Sequence, residues 1–277
     1  MIPSSATSLA CRRVPSPTND FGLLSFIEVS WDANETAKPI IPRGELRVVH
    51  LEITFGVTWG IGGRLINYLY RYSPVLLRLS VVDAPEWCIA KFAQQTLQFV
   101  LPEKDDTYVG WTLLMVQVDD TAPAFEVFPV RIHAIIEPLY GPLGFLTMMQ
   151  GTSQNVSVAF TVAYKPLLAI HLPEGNIIET PPLVPVELPI GITNLGNGKT
   201  IVENEVVSYP SGWTITLPAQ LVMEAGEYRE MNLSLLAPYN FSSEASITLS
   251  CTPHSYDDYS LVGQTIYVNI LAYYRPP

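Results

Sequence analysis

Four histidines, His50, His133, His171 and His254, are the side chains in this sequence best suited to proton transfer or metal binding. A metal or acid–base site needs partners at defined spacing or converging from neighbouring elements. None of the four has a second ligand at metal spacing, and three fall within expected strands, so they read as strand-face residues. The carboxylate pairs Asp105-Asp106, Asp119-Asp120 and Asp257-Asp258 could attract calcium, but none has the spaced ligands of a dedicated loop. They read as solvated loops. Paired carboxylates for glycoside hydrolysis would have to converge from separate loops. Gly60-Ile61-Gly62-Gly63 reads as a glycine turn without the strand–helix setting that phosphate cradling requires. No GxSxG, HExxH, Walker or Rossmann pattern occurs. Cys11, Cys88 and Cys251 form no CxxC pair, and the latter two read as small buried hydrophobes rather than a bridge. These residues predict no enzyme, no cofactor and no metal site.

Composition narrows the remaining classes. The formal net charge is −11 and charged residues make up only 15% of the chain. An acidic surface repels phosphates, so no nucleic-acid role is expected. At 48% hydrophobic the chain is too apolar for disorder. Its 24 prolines punctuate short apolar runs, which favours many short strands over long helices. No apolar run reaches the ~20 residues that span a bilayer, so no transmembrane segment is expected. Residues 1–20 read as a flexible lead: Ser8-Leu9-Ala10-Cys11 faintly resembles a lipoprotein cleavage box, but nothing apolar precedes it. Four Asn-x-Ser/Thr sequons, at Asn34, Asn155, Asn232 and Asn240, are glycosylation candidates and agree with a secreted or surface protein.

The elements that would carry any site announce themselves by repetition. VVDAPEWCI (81–89) returns as VVSYPSGWTI (206–215). Val81 and Val82 match Val206 and Val207, Pro85 matches Pro210, and one inserted residue, Gly212, brings Trp87 onto Trp213 and Ile89 onto Ile215. Ala93-Gln94 then falls on Ala219-Gln220. Downstream, DDTAPAF (119–125) resembles LLAPYNF (235–241). An ordered series of matches at this distance reads as domain duplication, with Trp87 and Trp213 as buried core indoles.

Around these markers the apolar residues alternate with period two. The strands read as A at 21–31, B at 46–55, C at 75–82, E at 111–118, F at 126–136 and G at 155–164, and the second copy repeats the series. Roughly seven short strands per ~120 residues predict an immunoglobulin-like sandwich, with a jelly roll or another Greek-key sandwich as alternatives. The expected organisation is a lead at 1–20, one sandwich at 21–165 and a second at 166–277.

The second copy resembles a known family. A strand entering NLGNGKT, a valine-rich strand, YPSGWTI and MEAGEYREMNLSLLAP are similar to the immunoglobulin-like modules that accompany α-galactosidases and other carbohydrate-active enzymes (NPCBM-associated domains). The matching residues are Asn194, Gly196, Asn197, Gly198, Pro210, Gly212, Trp213, Gly226, Glu227 and Pro238. The resemblance covers 185–272 and touches the first copy only at Pro85, Trp87 and Pro123. It implies an extracellular structural or adhesive module, of the kind found in tandem on archaeal and bacterial cell surfaces, and carries no catalytic residues.

The first copy departs from the second by two insertions, 56–74 between B and C and 137–154 between F and G. In this type of sandwich both lie at one end, joined there by the loop at 103–110. Trp59, Ile61, Tyr68, Tyr70, Tyr72, Leu139, Tyr140, Phe145, Leu146, Met148 and Met149 are therefore expected to gather at that tip. Such residues mark either a contact site or two insertions capping each other. The resulting expectation is a non-enzymatic surface protein whose tip meets a protein partner or a second copy. Alternatives are a carbohydrate-binding module pair, and a filament subunit joined by strand donation from its N-terminal segment.

Overall fold

Among the described residues, alternation along the chain resolves into nineteen strands and two short helices. The computed structural model describes residues 21–103, 106–142, 144 and 146–275. Cys11, Lys104, Asp105, Phe145 and the lead at 1–20 lie outside the described residues. The chain is all-β and divides into two immunoglobulin-like β-sandwich units, residues 1–163 and 164–277.

In the first unit, strands β1 (Leu23–Trp31), β2 (Leu46–Trp59), β4 (Cys88–Phe92), β6 (Thr107–Val118), β8 (Leu139–Tyr140) and β9 (Thr147–Gln150) form one sheet, in the order β4-β6-β2-β1-β9-β8. Strands β3 (Pro74–Asp83), β5 (Thr96–Val100), β7 (Val127–Ile136) and β10 (Thr152–Thr161) form the facing sheet, β10-β7-β3-β5. Helix α1 (Ala33–Ala37) follows β1 and is started by Asp32, whose side chain accepts the Asn34 amide. Helix α2 (Gly63–Tyr70) sits between β2 and β3. Phe55, Phe128 and Phe160 are wholly buried between the two sheets.

The second unit comprises β11 (Leu168–His171), β12 (Ile177–Glu179), β13 (Pro185–Asn194), β14 (Thr200–Ser208), β15 (Thr214–Thr216), β16 (Gln220–Met223), β17 (Tyr228–Leu236), β18 (Glu244–Ser255) and β19 (Ile266–Tyr273). Its sheets run β11-β13-β17-β15 and β12-β19-β18-β14-β16. Strand for strand this repeats the first unit, with β12 added here and β8 and β9 added there. Both units share one uncommon step: after the strand at β3 or β14 the chain crosses to the opposite sheet (β4, β15) and returns beside its starting strand (β5, β16).

The repeated phrase marks a β-bulge. The β3–β7 ladder shifts register between Val81 and Asp83, and the β14–β18 ladder shifts between Val206 and Ser208. The second valine of each phrase is thus the extra residue, and it redirects the strand toward the crossing. Trp213 then packs edge-on to Phe241, with centroids 4.9 Å apart and planes at 75°. Trp87 does the same against Phe128 at 4.7 Å and 78°.

Two sequence matches need correction. Trp213 is buried, but Trp87 is only partly buried at the margin of its core. The Ala93-Gln94 match is out of register: the Leu79 amide donates to the Gln95 carbonyl and the Asn204 amide to that of Ala219, each at 2.8 Å. Leu79 and Asn204 are equivalent in the frame set by Val81 and Val206, so Gln95, not Ala93, corresponds to Ala219.

Candidate functional site

Strand register brings both insertions to one end of the first unit. Leu23 lies opposite Trp59, Gly56 opposite Thr107, Pro74 opposite Val100, and Ile136 opposite Thr152. Neither insertion is a simple loop. Strand β2 continues through Trp59 and turns at Gly60–Gly62 into α2, so the glycine run does lie between a strand and a helix. Two of its amides are used internally: that of Gly60 donates to the Gly22 carbonyl, and that of Gly63 to the Gly60 carbonyl. A Cβ on Gly63 would come within 3.0 Å of the Trp59 Cβ. The glycine lets the helix seat directly on the sheet.

The second insertion is also strand-like. β9 adds to β1 in parallel, Leu23 opposite Met149 and Leu24 opposite Gln150, and the Ser25 hydroxyl donates to the Gln150 carbonyl at 2.6 Å. Gly22 makes this approach possible: its φ is +103°, and a Cβ there would lie 2.8 Å from the Met148 carbonyl oxygen. Met149 is consequently 0% exposed and belongs to the core, which corrects its expected place on a contact surface. Trp59, Tyr70, Leu139 and Met148 also lean on the core and are half-buried. These residues form a cap, and a side chain committed to the core is not free for a partner.

What stays exposed is the outer face of α2. Ile66 and Asn67 point inward, and the Asn67 side-chain amide donates to the Pro102 carbonyl at 2.7 Å. On the opposite face Leu65 is 64%, Tyr68 71% and Leu69 63% exposed, and Tyr72, just past the helix, is 77% exposed. Their spacing of i, i+3, i+4 and i+7 makes one stripe, extended by exposed Ile61 before the helix. Tyr140 and Leu146 of the second insertion are exposed as well. Leu65 and Leu69 lie outside the tip residues expected from sequence because 56–74 has the look of an inserted loop among strands; the helical period from Ile61 to Tyr72 is the signal that marks them.

Leu65, Tyr68, Leu69 and Tyr72 together expose on the order of 500 Å² of surface, the size of patch that on a monomer often marks function. Arg64 and Arg71 flank the stripe and no acid lies in α2, in contrast to the chain's net charge of −11. The Arg71 guanidinium lies over the Tyr72 ring at 4.5 Å and donates to its hydroxyl, a contact that holds the Arg71 pKa above its usual value. This arrangement offers an apolar strip with a cationic border. It suits a partner with an apolar recess and an acidic rim.

The residues first considered for chemistry are engaged otherwise. His50 faces Glu35 at 2.7 Å, and His133 faces Asn155 at 2.6 Å. His171 is exposed on β11. Asp119 and Asp120 both face Arg43, at 2.8 and 3.3 Å, and the hydrogen bond from Arg43 holds the Asp119 carboxyl below the usual range. Asp258 accepts the Ser260 amide and hydroxyl.

In the second unit, Glu203 on β14 accepts the Tyr259 hydroxyl and the Gln220 amide, and His254 Nε2 stands 3.3 Å away. The His254 and Tyr259 rings stack at 4.2 Å and 9°. The Tyr259 hydrogen bond is the largest of several effects that hold the Glu203 carboxyl below its usual range. The four side chains satisfy one another, so the set acts as a staple joining the 256–262 turn to β14. Among the described residues no group of three or more His, Cys, Asp or Glu is arranged to hold a metal, and no helix is long and apolar enough to cross a membrane. The sequon residues Asn34, Asn155, Asn232 and Asn240 are all exposed.

No protein-family model matches the chain, and no curated protein sequence does. Among solved structures, a PapD-like domain of human CEP192 is 11% identical with a TM-score of 0.33, covering 40% of this chain and 86% of that one. A chain of the complex of Dpr2 Ig1-Ig2 with DIP-Theta Ig1-Ig3 is 12% identical with a TM-score of 0.28, covering 90% of this chain and 64% of that one. The YadV chaperone is 12% identical with a TM-score of 0.26, covering 88% and 98%.

Proposed function

We propose that this chain is a non-enzymatic structural or adhesive protein, secreted or held at the cell surface, which meets a protein partner through the α2 face of its first unit. The carrying observation is the stripe Leu65, Tyr68, Leu69 and Tyr72, left in water on a helix whose other face is already satisfied by the core. Burial of apolar area contributes roughly 25 cal/mol per Å², so a strip of this size is a strong contact once covered. The four exposed sequons and the module-like character of the second unit support an extracellular setting. Carbohydrate binding is the weaker reading, because the strip is mixed leucine and tyrosine without a polar cleft around it.

The test is fractionation of cells making the protein. Replacing Leu65, Tyr68, Leu69 and Tyr72 together with Ser should leave the fold intact and move the protein from the envelope fraction to the medium. Unchanged partitioning of a folded variant contradicts the proposal.

A further inference from the structure

Among the described residues, strand β6 lacks a neighbour on one side over half its length. On one side β2 pairs with it from Thr107 to Gln117. On the other, β4 covers only Leu114–Val118. The last bond on that side is the Ala93 amide to the Leu113 carbonyl, at 2.9 Å. Alternate residues of a strand direct their N–H and C=O groups to the same side, so those of Val109 and Trp111 face the open edge. Both side chains are exposed as well.

Across the flank, β5 is the edge of the facing sheet. Between β5 and β6 lies a cleft of about 580 Å³, lined among others by Leu97, Phe99, Val100, Tyr108, Val109 and Gly110. A Cβ on Gly110 would come within 2.7 Å of the Phe99 ring, so glycine lets that ring floor the cleft. Unmet backbone groups in a row, with apolar surface above and below, fit one kind of occupant. An extended strand would bond to β6, send alternate side chains into the cleft and cover Trp111 with the others. A helix or an acyl chain would leave the edge amides unmet.

We propose that residues 4–14 of a second copy of this chain add to β6 as that strand. Twenty residues precede Phe21, and within them SSATSLACRRV (4–14) is free of proline and bounded by Pro3 and Pro15. Strand alternation sets Thr7, Leu9 and Cys11 on one face and the small residues Ala6, Ser8 and Ala10 on the other. Arg12 and Arg13 give this segment a positive charge in an acidic chain, and exposed Glu103 and Asp106 stand where β5 leads into β6. Pro15-Ser16-Pro17 favours an extended backbone. The six residues 15–20 reach at most about 20 Å from Phe21, enough to enter a neighbour. This goes beyond the α2 reading and rests on different residues.

Sedimentation velocity of the full chain over a concentration series, with amide hydrogen exchange read at Val109 and Trp111, tests it. Association should grow with concentration, and exchange at both amides should slow about tenfold in the associated state. Leu9→Pro removes strand-forming ability from the donor, and Val109→Pro removes an edge amide; each should weaken association about tenfold or more. Excess synthetic peptide 4–14 should dissolve the assembly. If Val109→Pro fails to fold, Leu9→Pro and the peptide decide. A chain that stays monomeric throughout overturns the proposal, and so does association that survives Leu9→Pro. Slow exchange at Val109 and Trp111 already in the dilute monomer assigns the edge to the chain's own lead and also overturns it. Association lost only on serine replacement of the α2 stripe moves self-contact to that face and overturns it too.

Discussion

Met149 and Tyr68 were indistinguishable in sequence as tip residues, and the structure gives them opposite roles that one pair of variants separates. Met149 is wholly buried where β9 meets β1. Truncation to Ala removes three heavy-atom groups worth about 0.8 kcal/mol each in transfer, or about 2.4 kcal/mol. The residual cavity beside Leu23 adds to this, since a site pinned by backbone pairing collapses poorly, and the total comes to about 3 kcal/mol. For a unit of this size about 2–4 °C of midpoint shift accompanies each kcal/mol, so Met149→Ala should lower the first unit's melting point by about 6–12 °C. Tyr68→Ser changes a side chain that is 71% exposed, and should move it by less than about 2 °C. Calorimetry of the full chain reads both, with the second unit's transition as internal reference. Equal shifts for the two variants, or a silent Met149→Ala, would refute the division of the tip into a buried cap and a bare helix face.

Three further outcomes follow from the packing. Trp213→Ala should cost about 3–5 kcal/mol, whereas the half-buried Trp87→Ala should cost clearly less, measured by guanidinium unfolding. Burial pushes the Cys88 and Cys251 thiols up to about 11, so both should resist alkylation near neutral pH in the folded protein and react at once in denaturant; their raised values add stability below the ordinary thiol pKa that is lost as pH rises through about 11. Glu203 has a depressed value, so its contribution is present above the ordinary 4.5 and is lost as pH falls through the folded value. The melting-point gap between wild type and Glu203→Gln should therefore close on acidification, and a gap independent of pH would contradict the staple.

Much of the architecture was legible because it is written in side chains. The two Val-Val phrases with their following tryptophans carry the bulge and the crossing, and period-two alternation carries the strands. What was not legible depends on the main chain or on distant partners. The pairing of β9 with β1 is a backbone ladder that leaves no mark at Thr147–Gln150 except Met148 and Met149, and methionine is equally at home in a core or on a contact surface. The same holds for the short reach of β4, which among the described residues leaves the far edge of β6 at Val109 and Trp111 without a partner strand. Helix α2 was different: Ile61, Leu65, Tyr68, Leu69 and Tyr72 hold a helical period, but the strand-rich surroundings made the segment look like a loop.

The most direct test of the proposed contact surface is hydroxyl-radical footprinting of the protein on intact cells against the purified chain. Leu65, Tyr68, Leu69 and Tyr72 should be protected in place, while Tyr239, 79% exposed on the second unit, is oxidised equally in both. Equal oxidation of Tyr68 and Tyr72 in the two settings would contradict a partner at the α2 face.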